Sequence, residues 1–166
     1  MKIFFSSALG CGAIFTLFFA TIAQGQESPS PLNIRSIAEV EAKTVESGHE
    51  VVKLISADRV VPGDRVIYTL EVRNISGATL DAPIVTHPVP EHMLYVADSA
   101  VGPGAEVSYS VDGGQSFDQL EKLKVQGSDG RLRPVVAADC TDIRWQLKNN
   151  LKANSVAFMR FRALVK

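Results

Sequence analysis

Residues 51–74 read VVKLISADRVVPGDRVIYTLEVRN, and the second half of this stretch decides the fold class. After the turn Pro62-Gly63-Asp64, apolar and polar side chains alternate. The apolar positions are Val66, Tyr68, Leu70 and Val72, and the polar positions are Arg65, Thr69, Glu71 and Arg73. Only Ile67 breaks the alternation. A period of two residues predicts a strand with one buried face and one face in water.

Similar short runs continue to the end of the chain, with turn residues between them. The predicted strands are Ala38–Glu46, Glu50–Ser56, Arg65–Arg73, Ala82–Thr86, His92–Ala97, Glu106–Val111, Phe117–Val125, Arg131–Val136, Thr141–Leu147 and Ser155–Val165. Many short strands at spacings of about 8–12 residues, without a long helical period, indicate an all-β fold. We therefore predict an immunoglobulin-like antiparallel β-sandwich.

Two of these strands carry further expectations. Glu39–Glu46 could form a helix by propensity alone, but its β-branched residues favour a strand. Its charges suit an edge strand, where they hinder pairing with other chains. In the last strand, Val156 and Phe158 lie opposite the apolar face and precede Arg160 and Arg162. This order predicts that the strand begins buried on both faces and ends with one face in water.

The N-terminus has the pattern of a secretory signal peptide. Lys2 is followed by the apolar run Ile3–Ile22 and by the small-x-small sequence Ala23-Gln24-Gly25. We expect residues 1–25 to be cleaved after Gly25, with Ala23 as the alternative site. An uncleaved membrane anchor remains open, because about 20 apolar residues are enough to span a bilayer. A lipoprotein signal ending at Cys11 is disfavoured, since most of the apolar run follows that cysteine.

Removal of the signal peptide leaves about 140 residues, an ordinary size for one domain. Residues 26–36 are rich in serine and proline and are predicted to be a flexible leader. Residues 37–166 are predicted to form the sandwich domain. Cys140 is then the one remaining cysteine, so an internal disulfide is excluded. Its thiol is either buried and inert or available for an intermolecular bond, and the apolar alternation from Ile143 to Leu147 favours burial.

These residues resemble a bacterial family, the conserved repeat domain. The resemblance runs from Val51 to Val165 and rests on Val52-Lys53, Val61-Pro62-Gly63-Asp64, Val66, Tyr68, Val72, Asn74, Ser76-Gly77, Ile84-Val85-Thr86, Val89-Pro90-Glu91, Met93-Leu94-Tyr95-Val96 and Trp145. The family is an immunoglobulin-like sandwich of unknown function in secreted and surface proteins, including the large cysteine-rich outer-envelope protein of chlamydiae. In such a sandwich, Tyr68 and Trp145 would fill the space between the sheets.

The chain departs from the family in two respects. Ala153-Asn154 stands where the family usually has Pro-Gly before its last strand. Asparagine tolerates positive φ, so the turn can survive this change. The family usually occurs in tandem, whereas this chain carries a single copy.

One motif of the chain is known from larger enzymes. Ser110–Phe117 fits the Asp-box pattern S-x-D-x-G-x-S-F, which recurs in sialidases and other β-propellers. Its Asp-Gly-Gly turn and its serine and aspartate side chains favour a hairpin that bonds its own backbone. We therefore expect a structural hairpin and no catalytic role.

The sequence gives little support for catalysis or metal binding. It lacks the motifs G-x-S-x-G and H-E-x-x-H, a Walker loop and an EF-hand loop. The histidines are His49, His87 and His92, and none has metal-site spacing. A zinc site built from His87, His92 and acidic residues is the alternative to ordinary loop histidines. We predict no enzyme activity, no cofactor and no metal.

Charge is distributed unevenly along the chain. Residues 26–119 hold 6 Lys/Arg against 14 Asp/Glu, a net charge of −8, and residues 120–166 hold 10 against 4, a net charge of +6. Cross-strand ion pairs would cancel much of this difference. The alternative is a basic patch that faces an acidic polymer, an acidic partner or a second copy. Its candidate residues are Arg131, Arg133, Arg144, Lys148, Lys152, Arg160 and Arg162.

These observations predict an exported, non-enzymatic structural or interaction module of a bacterial cell envelope, periplasmic or extracellular. Its partner would be an envelope protein or a second copy, contacted through sheet edges, loops or the charged strand face. A carbohydrate- or polymer-binding module is the alternative, with Tyr95, Tyr109 and Phe117 as candidate contacts. Nucleic acid is not expected for an exported protein with a pI of about 6.3. Membrane contact is expected only through an uncleaved signal.

Overall fold

The computed structural model describes residues 30–166, and the predicted signal peptide lies outside them. The described residues form ten strands and two single-turn 3-10 helices. The strands are β1 (Leu32–Glu46), β2 (His49–Ser56), β3 (Arg65–Asn74), β4 (Ile84–Pro88), β5 (Met93–Tyr95), β6 (Ala105–Ser110), β7 (Lys124–Gln126), β8 (Leu132–Pro134), β9 (Asp142–Leu147) and β10 (Val156–Val165). The 3-10 turns are Leu120–Lys122 and Ala137–Asp139. No helix within this range is long and apolar enough to cross a membrane.

The strands form two main sheets and a small hairpin. One sheet has the order β2-β1-β3-β10-β5, the other has the order β4-β9-β6, and β7 pairs with β8. All of these pairings are antiparallel. The two sheets meet where Trp145 of β9 packs on Phe161 of β10, with ring centroids 6.2 Å apart. The predicted all-β antiparallel sandwich is confirmed, and its arrangement is consistent with an immunoglobulin-like fold.

The alternation in β3 produces the core. Val66, Leu70 and Val72 are each at most 1% exposed. Tyr68 stacks on Phe161 with centroids 4.9 Å apart, and Trp145 is fully buried, so both aromatic side chains point inward as predicted. Each fully buried large apolar side chain contributes about 1.5–3 kcal/mol through its removal from water.

β1 bears on two predictions. It begins at Leu32, so residues 32–36 are strand and not leader. Pairing of these residues with β3, from Leu32 opposite Asn74 onward, overrides their serine-rich composition. The predicted edge strand Glu39–Glu46 is an edge only in part: Glu39 and Val40 lie between β2 and β3, whereas residues 41–46 pair with β2 alone. β2 is the terminal strand on this side of the sheet.

Two further predictions are wrong. The segment Phe117–Val125 is not one strand, because its Leu120–Lys122 portion winds into a 3-10 turn in which the Lys122 N–H bonds the Gln119 carbonyl at 3.0 Å. β10 does not begin buried on both faces, because Phe158 is 53% exposed. It shares the outer face of the sheet with Arg160 and Arg162, since the three residues alternate with the inward-facing Met159 and Phe161.

Candidate interaction surfaces

β1 and β2 continue beyond the sandwich as a two-stranded ribbon. β1 pairs with β3 only from Leu32 to Val40, whereas it pairs with β2 from Glu39 to Glu46. The turn at its tip, Ser47-Gly48, has φ of 50° and 80°, as a two-residue type I′ hairpin requires. We call residues 39–56 the ribbon. Most of the ribbon has little support from the sandwich, because residues 41–46 do not pair with β3. A two-stranded hairpin by itself is only marginally stable in water.

The ribbon exposes large apolar side chains on both faces. Val45 is 71% exposed, Val52 61%, Leu54 42% and Ile55 48%. Ile55 lies on the inner face of the sheet, because Ile55 and the buried Val66 both pair with Val40. Its exposure shows that the three-stranded sheet does not cover this part of the five-stranded sheet. Val45, Val52 and Leu54 share the outer face, and a group of exposed apolar side chains is a feature of interaction sites.

The outer edge of β2 offers unpaired backbone groups. The Ala57 N–H donates to the Ala38 carbonyl at 3.0 Å. This bond shows that the odd-numbered residues of β2 direct their backbone N–H and C=O groups toward β1. Backbone groups alternate in direction along an antiparallel strand. The N–H and C=O groups of Glu50, Val52 and Leu54 therefore point away from β1. Such an edge can pair with a strand of another chain.

The opposite edge of the five-stranded sheet is open along the first part of β10. β5 pairs only with residues 163–165, and Val101 bonds Arg160 through two backbone hydrogen bonds of 2.8 Å. The same alternation points the N–H and C=O groups of Val156 and Phe158 toward this side. In the described part of the chain, no strand lies beside these two residues.

A cavity of about 460 Å³ lies beside this open edge. Its lining consists of Thr69, Val101, Gly102, Pro103, Phe158, Met159 and Arg160. Phe158 and Val101, which is 56% exposed, give the cavity apolar walls. Gly102 packs closely on the core, because a Cβ there would lie 3.1 Å from Trp145 Cδ1. We call the cavity and the open edge at Val156 and Phe158 the β10 groove.

The β10 groove is bordered by positive charge. The Nε of Arg160 donates to Thr69 Oγ1 at 3.2 Å, and Arg160 lines the cavity together with Phe158. Arg162 lies next along the outer face of β10. Neither arginine forms an ion pair with an acidic side chain of residues 30–166. These two cations are therefore available to an acidic partner.

The seven residues of the predicted basic patch do not form one surface. Arg144 and Arg160 adjoin the inward-facing Trp145 and Phe161, so they point to opposite outer faces of the sandwich. The Arg144 guanidinium lies 3.5 Å from the ring centroid of Phe117. Arg131 is exposed after the loop that leads to β8, and Lys152 is exposed in the turn before β10. Only Arg160 and Arg162 remain neighbours beside the β10 groove.

Two members of that set are held in ion pairs. Arg133 donates from both terminal nitrogens to Asp139 at 2.7 Å, and this pairing raises the pKa of Arg133 and lowers that of Asp139. Lys148 lies 3.6 Å from Glu106 on β6. Arg133 and Lys148 are therefore neutralised by ion pairs, as the first of the two expectations from the charge distribution has it, and do not contribute to a basic patch.

The Asp-box segment forms a self-bonded turn that is closed by one antiparallel bridge between Tyr109 and Asp118, without the second strand of the predicted hairpin. The Asp112 carboxylate accepts hydrogen bonds of 2.6 Å from the hydroxyls of Ser110 and Ser116. It also accepts 3.0 Å bonds from the N–H groups of Gln115 and Ser116. These donors hold the pKa of Asp112 well below its usual range. All of the donors belong to the same loop, which is the arrangement of a self-bonded turn.

The aromatic candidates for sugar binding do not form an exposed row. Tyr95 is 3% exposed, and its hydroxyl lies 3.1 Å from that of Tyr109. Phe117 is partly covered by Arg144. Cys140 packs in the core near these tyrosines, where burial raises its pKa to about 11. The prediction that this thiol is buried is confirmed.

The histidines lie in different surroundings. His87 on β4 packs near Phe161 and Tyr68, with ring centroids 5.6 and 6.4 Å away, and burial lowers its pKa. Its Nδ1 lies 2.7 Å from the Pro88 carbonyl oxygen. His92 is exposed in the turn before β5. Residues 30–166 contain no group of three or more His, Cys, Asp or Glu side chains that could hold a metal ion.

Comparison with known proteins yields no relative: no family model, no curated protein and no solved structure matches the chain. The resemblance to the conserved repeat domain stays a prediction from the residues quoted above. The functional argument therefore depends on the surfaces of the molecule itself.

Proposed function

We propose that this chain is an interaction module that binds another protein through the ribbon. The observation that carries the proposal is the combination, on β2, of an unpaired strand edge and exposed apolar side chains. Val52 and Leu54 belong to the edge strand itself, so a partner strand would gain both backbone bonds and apolar contacts there. This is the chemistry of β-strand addition.

The proposed place of action is the cell envelope, as an exported protein. The N-terminal sequence supports this proposal, since residues 1–25 have the order of a secretory signal. The relation to the conserved repeat domain, whose members are secreted or surface proteins, is part of the same proposal. The module would act by binding and not by catalysis. The β10 groove supports this view, because a mainly apolar lining with Arg160 as its one charged side chain suits a binding surface.

Site-specific photocrosslinking in living cells tests the proposal. A photoreactive amino acid replaces Val52 in the full-length, C-terminally tagged chain, and a matched control replaces Ser128, which is exposed in the loop between β7 and β8. Because the ribbon is the proposed contact, irradiation should give a discrete crosslinked protein band from position 52 and none from position 128. Absence of a band at position 52, or the same bands at both positions, would refute the proposal.

A second variant separates loss of contact from loss of fold. Leu54→Lys places a charge on the exposed β2 edge while the sandwich core stays unchanged. We expect it to reduce the yield of the crosslinked band from position 52, because a charged edge opposes strand addition. The thermal unfolding midpoint of the purified variant checks that the sandwich remains folded.

A further inference from the structure

We propose that the β10 groove binds the β2 edge of a second copy of this chain, so that five-stranded sheets join head to tail. The inference rests on the proposed function and names a second copy as the partner of the ribbon. It assigns a role to the β10 groove, which lies at the opposite edge of the same sheet.

Strand direction permits this junction without turning either molecule over. The pairs β2–β1, β1–β3 and β3–β10 are all antiparallel, so β2 runs opposite to β10. A second copy displaced along the sheet therefore presents its β2 antiparallel to β10 of the first copy. Ser56 lies level with Arg162 through Glu39 and Ile67, so the second copy must also slide about eight residues, about 27 Å, along the strands. The outward N–H and C=O groups of Val52 then face those of Phe158, and those of Leu54 face those of Val156. Backbone groups that are unpaired in each copy become paired in the junction.

The side chains also meet on the same face. Arg162 pairs with Ile67, Ile67 with Glu39, and Glu39 with Ser56, so Ser56 shares the outer face with Arg162. Alternation along β2 places Val52 and Leu54 on that face too. The exposed valine and leucine of one copy thus lie beside the exposed Phe158 and the cavity of the next. The junction would cover apolar surface at both of its edges.

Charge favours this pairing over the symmetric alternative. The ribbon carries four glutamates and two lysines, a net charge of −2. Lys43 pairs with Glu50 and Lys53 with Glu46, so Glu39 and Glu41 carry the excess negative charge. The β10 groove carries the unpaired cations Arg160 and Arg162. A junction of ribbon and groove joins opposite charges, whereas two β2 edges facing each other would bring two acidic ribbons together. Opposed charges also steer the two surfaces toward each other.

The junction uses two different surfaces, so each added copy leaves one ribbon and one groove free. Contacts of this kind generate rings or open chains of subunits. Assembly should therefore increase with protein concentration and weaken at high salt, because the surface charges are screened.

Crosslinking between two cysteine variants distinguishes the possible junctions. The full-length chain, with Cys11→Ser and Cys140→Ala, receives either Val52→Cys or Phe158→Cys, on copies that carry tags of different size. A bis-maleimide with a spacer of about 8 Å, which is longer than the rise of two strand residues, then joins the two introduced cysteines. Crosslinking therefore tolerates a small shift in the register between β2 and β10. Mixing the two variants should give the mixed dimer, whereas Val52→Cys mixed with Ser128→Cys should not.

A charge reversal supplies the second measurement. Arg160→Glu in the Phe158→Cys copy should lower the yield of mixed dimer by about tenfold, because it places like charges at the junction. Arg131→Glu is the matched control, since that arginine is exposed away from the β10 groove, and it should leave the yield unchanged.

Two results would overturn the inference. Efficient dimers of the Val52→Cys variant alone would indicate a symmetric β2–β2 contact. Absence of mixed dimers, together with a monomer mass in light scattering at high protein concentration, would exclude self-association. If photocrosslinking at position 52 in cells still captured a different protein, the proposed interaction function would stand while the head-to-tail junction fell.

Discussion

The side-chain amide of Asn74 donates a 2.9 Å hydrogen bond to the backbone carbonyl of Leu151, 77 residues further along the chain. The same amide donates to the carbonyls of Ala78 and Lys152 at 2.7 and 3.1 Å. Its oxygen accepts the N–H of Ser76 at 3.0 Å. Asn74 is fully buried at the end of β3. This one side chain therefore joins the loop after β3 to the turn before β10.

Asn74→Ala should lower the free energy of unfolding by about 2–4 kcal/mol, because it removes four hydrogen bonds to backbone groups, each worth about 0.5–1.5 kcal/mol net, and takes the acceptor from the Ser76 N–H. Asn150→Ala is the matched control, since that side chain is exposed, and it should change the value by no more than about 0.5 kcal/mol. Urea denaturation followed by circular dichroism measures both. Equal, small effects would show that Asn74 does not hold the two segments together.

Two phenylalanines on the same strand test the assignment of the faces of β10. Phe161 is fully buried between the sheets, whereas Phe158 is 53% exposed. Phe161→Ala should cost about 3–5 kcal/mol, since it removes a core ring and leaves a cavity. Phe158→Ala should cost less than about 1 kcal/mol. Comparable losses in the two variants, measured by urea denaturation, would mean that Phe158 is covered in the folded monomer.

How far the fold follows from the sequence can be judged from β3 and from the ribbon. The alternation of Val66, Leu70 and Val72 predicts β3 because burial of one face against a sheet requires that period. It says nothing about how many strands the opposite sheet has. The exposure of Ile55 depends on the number of strands in the opposite sheet. The sequence therefore predicts the strand β2 but not that the ribbon lies uncovered.

The same distinction applies to the candidate site. The bond from the Ser76 N–H to Asn74 is the local kind that an asparagine at a strand end forms, whereas the bond to Leu151 depends on tertiary pairing. Phe158 was predicted to be buried because its neighbours are apolar. Its exposure follows from its place on the outer face of the sheet, since it alternates with the buried Met159 and Phe161 and no second sheet within residues 30–166 covers that face. Arg160 and Phe158 are neighbours on one face of β10 because they stand two residues apart, which the sequence alone indicates. The open backbone edge beside them depends on where β5 pairs with β10.

Burial of Cys140 predicts a slow reaction with thiol reagents. The side chain is 6% exposed, and burial raises its pKa to about 11, so at pH 8 very little of it is the reactive thiolate. Alkylation by iodoacetamide in a Cys11→Ser chain should be far slower in the folded protein than in urea. Intact-mass spectrometry over time measures both rates. Equal rates would show that the thiol is accessible in the folded state.

His87 predicts a component of stability that depends on pH. Burial lowers its pKa below the ordinary value of about 6.5, although the Pro88 carbonyl and the charge of Asp142 act in the opposite direction. The unfolded chain therefore takes up a proton on this histidine at a higher pH than the folded chain does. Stability from this group is complete above about pH 6.5, decreases as the pH falls through that value, and stops decreasing below the folded pKa.

His87→Phe removes this titration but keeps a ring against Phe161. The free energy of unfolding of wild type should therefore fall more than that of the variant when the pH is lowered from 7.5 to 5. Urea denaturation at both pH values gives the change in unfolding free energy for each protein. Comparison of the two changes cancels the contribution of acidic groups that both chains share. His49→Phe, at an exposed position of β2, is the matched control. Identical pH dependence of wild type and His87→Phe would contradict the burial of a neutral imidazole beside Phe161.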